Sequence, residues 1–308
     1  MSKKVLVATE KPFAPEAVTK IREIVEKAGH RLELLEKYTE KSALLKAVAD
    51  ADALIIRSDK ADGEVLDASG QLKIVVRAGA GYDNIDCAKA KEKGIVAMNT
   101  PGQNSNAVAE LVFAMMLYRA RNFFTPKAGT ELRGKTIGIH AYGNVGHYVA
   151  QIAKGFGMKI LAFDPFVKRE LMEKNGVTSV ASVEELYEKA DYVSLHLPKM
   201  KETLGFVNEA LLKKMKRGAA LVNTARKEVV DEDALQKVLA QRTDLSYLSD
   251  IAPDCAEALS AACPGRVYFT PKKMGAQTNE ANVNAGVAAA NQIVAFFEKG
   301  DTTYQVNK

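Results

Sequence analysis

Short runs of β-branched and other apolar residues alternate along the chain with segments whose apolar positions recur at helical spacing. Residues 5–8, 54–57, 74–76 and 95–98 read as strands. Residues 17–28 place Val18, Ile21, Ile24, Val25 and Ala28 on one face of a helix. Residues 52–57 form an apolar run closed by charge, as expected of a parallel strand covered on both faces. A second series begins near residue 134. Residues 135–139, 160–163, 192–195, 220–223, 245–248 and 267–270 are its strands, and 145–153, 184–190 and 233–240 its helices. This alternation predicts an α/β chain with two doubly wound parallel sheets.

Two longer helical stretches flank the second series. Residues 104–120 are apolar along Val108, Leu111, Val112, Met115 and Met116, and residues 279–297 are rich in Ala and Asn. They read as the crossings between two domains, with the second domain inserted in the first. The expected division is residues 1–99 with 281–308 for one domain, and 100–280 for the other. A length of 308 residues suits two domains.

Composition narrows the class. Apolar residues make up 47% and charged residues 26%, which fits a folded chain with a core rather than a disordered one. The net charge of +5 is spread over both signs, too mild for a nucleic-acid binder yet compatible with a local site for a small anion. Cys87, Cys255 and Cys263 are odd in number and show no CxxC, so neither a disulfide framework nor a zinc site is expected. The longest fully apolar run, residues 111–118, is far short of a membrane span. Met1 leads straight into a strand with no signal-peptide pattern, so a cytoplasmic protein is expected.

The sharpest local feature is the stretch from Lys135 to Gly146, KTIGIHAYGNVG. A strand leads into a glycine-rich turn and then a helix, the context of a dinucleotide fingerprint. The helix start offers free N–H groups to a pyrophosphate. Tyr142, Gly143, Asn144 and Val145 form that turn, Gly143 for close backbone approach and Gly146 for helix–strand packing. The first glycine is replaced by Ala141, which is tolerable if its φ is negative. Asp164, 18 residues after Gly146, ends the next strand where a carboxylate binds the adenosine ribose and disfavours a 2′-phosphate. NAD is therefore the expected cofactor. Ser194 to Pro198, with His196, Leu197 and Pro198, Asn223 to Arg226, with Thr224 and Ala225, and Leu248 to Asp250 end three more strands on the same side. Ligands bind beyond the carboxyl ends of such strands.

Several segments in order resemble one family: residues 77–86 (RAGAGYDNID), 98–105 (MNTPGQNS), the glycine turn with Asp164, 222–226 (VNTAR) followed by Val230-Asp231-Glu232, and 270–276 (TPKKMGA). The chain is similar to the D-isomer-specific 2-hydroxyacid dehydrogenases nearly end to end, and within them to short D-3-phosphoglycerate dehydrogenases. The resemblance implies two Rossmann-like domains, NAD, a homodimer formed in the region of residues 104–120, and a small phosphorylated 2-hydroxy acid as substrate. It implies that the amides of Gly79 and Ala80 hold the substrate carboxylate. Arg226 would bind that carboxylate and polarise the reacting oxygen. Asp250 would orient the nicotinamide carboxamide, with Gly275 nearby. Arg57 and Arg77, joined by Lys60, match basic positions near the substrate phosphate, where guanidinium groups suit a dianion. Arg57 could instead cap its strand in a pair with Asp59.

The chain departs from the family at the proton carrier. Most members use a histidine in Pro-His-x-Gly, and here the segment reads Pro271-Lys272-Lys273-Met274-Gly275. Counting back from Gly275 puts Lys273 in that slot, and counting from Pro271 puts Lys272 there. The accompanying glutamate slot is Cys255, with Asp254 beside it, and Lys227-Glu228 replace the glycines after Arg226. A lysine base needs its pKa lowered, which neighbouring positive charge supplies and a lost glutamate no longer opposes. Cys255 is a candidate for oxidation.

The expected reaction is oxidation of D-3-phosphoglycerate to 3-phosphohydroxypyruvate, the first step of the phosphorylated serine pathway. The alternatives are a hydroxypyruvate or glyoxylate reductase and an NAD-sensing binding protein. The short stretch after residue 297 argues against the partner-binding tails of the last, and at 308 residues an added regulatory domain is not expected.

Overall fold

The computed structural model describes residues 2–308. The chain divides into two compact units, Met1–Asn104 with Gln277–Lys308, and Ser105–Ala276. Both divisions fall a few residues from the expected ones. Thr100 stays with the first unit because its amide bonds the Gly79 carbonyl (2.9 Å). Residues from Gln277 onward join it because Thr278 caps the helix that follows.

The first unit runs β1 (Lys4–Thr9), α1 (Pro15–Lys27), β2 (Arg31–Glu36), α2 (Lys41–Val48), β3 (Ala53–Ile56), α3 (Gly63–Ala68), β4 (Ile74–Arg77), α4 (Cys87–Glu92) and β5 (Val96–Asn99). The sheet order is β2-β1-β3-β4-β5, and every pairing is parallel. Alternate residues of each strand feed two apolar layers. Val5, Val7, Ile55, Ile74 and Val76 share one layer with Ile21 and Val25 of α1, while Leu6, Leu54, Ile56 and Val75 share the other with Leu44 of α2 and Leu66 of α3. Burial on both faces is why these strands lack polar alternation. The edge strand β2 alternates charged and apolar residues, so the search for apolar runs passes over it.

The second unit runs α5 (Ser105–Ala120), β6 (Thr136–His140), α6 (Asn144–Gly155), β7 (Lys159–Phe163), α7 (Arg169–Lys174), β8 (Thr178–Ser179), α8 (Val183–Lys189), β9 (Tyr192–Leu195), α9 (Glu209–Lys214), β10 (Ala220–Asn223), α10 (Glu232–Gln241), β11 (Ser246–Ser249), α11 (Ala256–Ala262) and β12 (Val267–Phe269). Its sheet is parallel throughout, in the order β12-β11-β10-β9-β6-β7-β8. Winding reverses between β6 and β9, the position at which doubly wound sheets bind ligands. The chain then returns to the first unit through α12 (Asn279–Lys299). There Gly286 lies against Ile21 of α1 so closely that a Cβ would come within 2.9 Å of its Cδ1.

Candidate active site

In the second unit the functional side chains gather at the carboxyl ends of β6, β7, β9, β10 and β11. Gly146 is required where it stands: a Cβ would lie 2.6 Å from the Ala141 carbonyl oxygen and 3.0 Å from Ile139. This lets α6 begin directly against β6. Gly143 is the N-cap of α6 with no side-chain bond to its first turn, and a Cβ there would meet nothing within 4 Å. The space beside the start of α6 is therefore open. Ala141 does not meet the condition of a negative φ. It sits at φ +77°. The turn still needs the left-handed geometry that glycine supplies elsewhere, and alanine holds it at a cost of about 1–2 kcal/mol.

Asp164 ties this turn together. Its Oδ2 accepts the Tyr142 amide (2.8 Å), and its Oδ1 accepts the amides of Phe166 (2.8 Å) and Val167 (3.3 Å). Beneath the turn, His140 Nδ1 lies 3.2 Å from the Tyr187 hydroxyl, and His196 Nε2 lies 2.9 Å from Ser194 Oγ. Burial pushes both imidazoles down, His140 to about 4 and His196 to about 3, the latter lowered further by His140. Both are neutral at physiological pH. Leu197 is half-buried and Pro198 exposed just beyond β9.

Asn223 builds the turn that presents Arg226. Its Oδ1 accepts the Ala225 amide (3.0 Å), and its Nδ2 donates to the Arg226 carbonyl (2.9 Å). Arg226 Nη1 donates to the Ala225 carbonyl (2.9 Å). Just after Arg226, Lys227 pairs with Asp254 (2.5 Å) and Glu228 with Lys199 (2.7 Å), so charged contacts fasten the turn's outer side. Glu232 accepts the amides of Asp254 (3.1 Å) and Cys255 (3.0 Å). Burial, with Glu232 alongside, pushes the Cys255 thiol up to about 12. The thiolate that oxidants attack is thus suppressed, against the expectation of an oxidation-sensitive cysteine. Asp250 is fully buried and accepts the amides of Met274 (2.7 Å) and Gly275 (2.8 Å), the loop that bears the exposed Lys272 and Lys273.

In the first unit Arg57 and Arg77 leave the ends of adjacent strands. The Arg57 guanidinium donates to the carbonyls of Lys11 (3.1 Å) and Pro12 (3.0 Å), bonds Asn282 Oδ1 and lies 5.1 Å over the Phe13 ring. It does not simply cap its strand against Asp59. That carboxylate accepts the Arg57 amide (3.3 Å), the Glu10 amide (2.7 Å) and the Tyr38 hydroxyl (2.8 Å). Gly79 is at φ +152°, and a Cβ would lie 1.7 Å from Arg77 Nη1, so only glycine admits that guanidinium. The Gly79 amide bonds back to the Arg77 carbonyl (2.9 Å), so a substrate carboxylate would have to compete for it. The Ala80 carbonyl accepts Asn99 Nδ2 (2.5 Å), and Lys60 is exposed.

Residues 106–259 match the D-isomer specific 2-hydroxyacid dehydrogenase, NAD binding domain. The chain is 36% identical over 282 residues to a hydroxypyruvate reductase of Thermotoga maritima, covering 85% of this chain and 90% of that one. It belongs to the D-isomer specific 2-hydroxyacid dehydrogenase family. A D-3-phosphoglycerate dehydrogenase of Archaeoglobus fulgidus is 37% identical over 313 residues, 94% of this chain, but the match spans only 56% of that longer protein. The crystal structure of an NAD+-bound 3-phosphoglycerate dehydrogenase from Entamoeba histolytica is 48% identical, with a TM-score of 0.91 over 100% of this chain and 99% of that one.

The NAD binding domain of this dehydrogenase family member fits its cofactor on its own geometry. Gly143 opens onto space at the start of α6, where a pyrophosphate is favoured. The buried hydroxyl Thr224 Oγ1, at the end of β10, has no hydrogen-bond partner. Asp164 keeps lone pairs beyond its three backbone donors. Among the described residues, no group of His, Cys, Asp and Glu side chains could hold a metal ion, and no helix is long and apolar enough to cross a membrane. The turn-building role of Asn223 escaped the sequence reading, as did Phe13 and Asn282. Asn223 had a local signal, an Asn closing a buried strand before a turn. Asn282 had none, because it meets Arg57 across 225 residues of chain.

Proposed function

We propose that the protein oxidises D-3-phosphoglycerate at C2 to 3-phosphohydroxypyruvate. The observation that carries this reading is the pair of guanidinium groups at adjacent strand ends, Arg77 Nε donating to the Arg57 carbonyl (3.1 Å) in the unit that does not bind NAD. Two rigidly mounted guanidiniums suit a phosphate dianion, whereas an unphosphorylated hydroxy acid needs no such pair.

In this reading Arg226 binds the substrate carboxylate and stabilises charge on the C2 oxygen. The amide of Ala80, with that of Gly79, meets the same carboxylate. Lys273 Nζ takes the C2 hydroxyl proton in oxidation and returns it in reduction. Arg57, Arg77 and Lys60 meet the phosphate. Tyr142, Gly143, Asn144 and Val145 line the cofactor's pyrophosphate, and Asp164 meets its ribose. His196, Leu197, Pro198, Thr224, Ala225, Asp250 and Gly275 line the remainder of the cofactor. NAD, when bound, accepts the hydride from C2.

A hydroxypyruvate reductase is the second reading. It is favoured by the Thermotoga relative, matched over nearly its full length, and by the engagement of the Arg57 guanidinium with Lys11, Pro12 and Asn282. A substrate panel separates the two. Following NADH with D-3-phosphoglycerate, D-glycerate, hydroxypyruvate and glyoxylate, we expect kcat/KM to be highest for the phosphorylated pair. Equal or better turnover of hydroxypyruvate gives the second reading instead, and NADH binding without turnover gives a binding protein.

The protein works as a homodimer in the cytoplasm in this reading. The outer face of α5, with Ala114 and Leu117 exposed, supports the dimer, and three free cysteines fit a reducing compartment. Light scattering on the purified protein tests the dimer, and a monomer at micromolar concentration rejects it.

A further inference from the structure

Thr270 lies immediately after β12, and its side chain is buried (3% exposed). Its Oγ1 is 2.7 Å from the Asp250 carbonyl oxygen, 3.0 Å from Asp250 Oδ1 and 2.9 Å from the Lys272 carbonyl oxygen. All three are acceptors, and one hydroxyl proton serves them. The Asp250 carboxylate meanwhile accepts the amide of Met274 at Oδ1 (2.7 Å) and that of Gly275 at Oδ2 (2.8 Å). The backbone is thus held on both sides of Lys273, by the Lys272 carbonyl before it and two amides after it. There is no slack at the far end either. A Cβ on Gly275 would lie 3.0 Å from Asp250 Oδ2 and 3.2 Å from Val108.

We infer that Thr270 is a positioning residue: through Asp250 and the Lys272 carbonyl, its hydroxyl fixes the backbone from which Lys273 projects. The inference rests on the reading above in which Lys273 carries the proton. A lysine has four rotatable side-chain bonds, so the loop is what limits where its ammonium group can reach. Proton transfer needs heavy atoms within hydrogen-bond reach, and small displacements of a reacting group are costly. Asp250 alone is a poor probe of this, since the same carboxylate is also assigned to the nicotinamide carboxamide. The Thr270 hydroxyl bonds only Asp250 and the loop, so it separates the two roles.

The test compares Thr270→Val, which keeps the shape without the hydroxyl, with Thr270→Ser, which keeps the hydroxyl. Four quantities are measured on the whole chain: kcat and KM for D-3-phosphoglycerate, NADH affinity by fluorescence, and amide hydrogen exchange over residues 270–276. In Thr270→Val, kcat is expected to fall about tenfold to a hundredfold. KM and NADH affinity should stay within about threefold of wild type. The amides of Met274 and Gly275 should exchange faster, and Thr270→Ser should restore kcat and protection together. Three results overturn the inference: unchanged kcat in Thr270→Val, NADH affinity falling in step with kcat, or a loss that Thr270→Ser does not restore. If the wild type turns over no member of the substrate panel, it is the proposed reaction that fails. The exchange data then decide alone, and unchanged protection in Thr270→Val overturns the positioning role.

Discussion

Arg77 Nε donates to the carbonyl oxygen of Arg57, 3.1 Å away, just past the β3–β4 register in which Ile56 faces Arg77. One arginine is therefore mounted on the backbone of the other, but their guanidiniums have different surroundings. That of Arg57 binds Lys11, Pro12 and Asn282, and that of Arg77 lies over Gly79. Arg57→Met is expected to raise KM for D-3-phosphoglycerate and also to lower stability by about 2 kcal/mol, since it strips a charged donor from partly buried acceptors. Arg77→Met is expected to raise KM for D-3-phosphoglycerate about tenfold to a hundredfold, the loss of one charge-assisted contact. Urea unfolding and steady-state kinetics check the pair. An unchanged KM in either variant would remove that arginine from the phosphate site.

Lys273→Ala should lower kcat by about 10²–10⁴, the contribution of a positioned acid–base group, and leave NADH affinity near wild type. Lys272→Ala should lower kcat far less. The two variants, assayed side by side, exchange roles if Lys272 is the proton carrier.

Asp164→Ala removes the acceptor of the Tyr142, Phe166 and Val167 amides as well as the carboxylate proposed to meet the ribose. NAD affinity should fall about tenfold or more, while NADP, freed from charge repulsion, should lose less or gain. Titration of both cofactors by intrinsic fluorescence gives the ratio. An unchanged NAD-to-NADP preference would remove Asp164 from the ribose site.

The glycine turn allows opposite substitutions to be set against each other. Gly146→Ala forces a Cβ to within 2.6 Å of a carbonyl oxygen, so α6 must shift from β6. A loss of about 1–3 kcal/mol is expected, together with weaker NAD binding. Ala141→Gly relieves the φ of +77° and should be neutral to stabilising by up to about 1 kcal/mol, after the entropy of the freer unfolded chain is counted. Denaturation midpoints decide both, and a destabilised Ala141→Gly would show that the left-handed turn carries no strain.

Burial holds His140 at about 4 and His196 at about 3, below the ordinary imidazole value near 6.5. The unfolded chain therefore binds protons that the native one does not, between pH 6.5 and about 4. Stability is complete above that window and declines as pH falls through it, by about 1.4 kcal/mol per pH unit for each histidine. Urea midpoints at pH 7.5 and pH 5 measure the decline. His140→Gln should flatten it, and an equally steep profile in that variant would place the origin elsewhere.

Much of this was legible locally. Strands such as Tyr192–Leu195 and Ala220–Asn223 are short apolar runs because helices cover both faces of their sheet. The glycine turn with Asp164 is a contiguous pattern whose spacing reflects one βαβ unit. The edge strand Arg31–Glu36 was not legible, because its exposed face is written in charge.

The sequence by itself determined the alternation of strand and helix, the parallel sheets and the glycine turn between β6 and α6, because each is encoded by neighbours in the chain. Tertiary structure alone decided that Arg57 meets Asn282, that Thr270 and Asp250 close around the lysine loop, and that Ala141 is held left-handed. Which partner a polar atom finds depends on which strands lie side by side. That is settled by packing the apolar layers, and no local spacing records it.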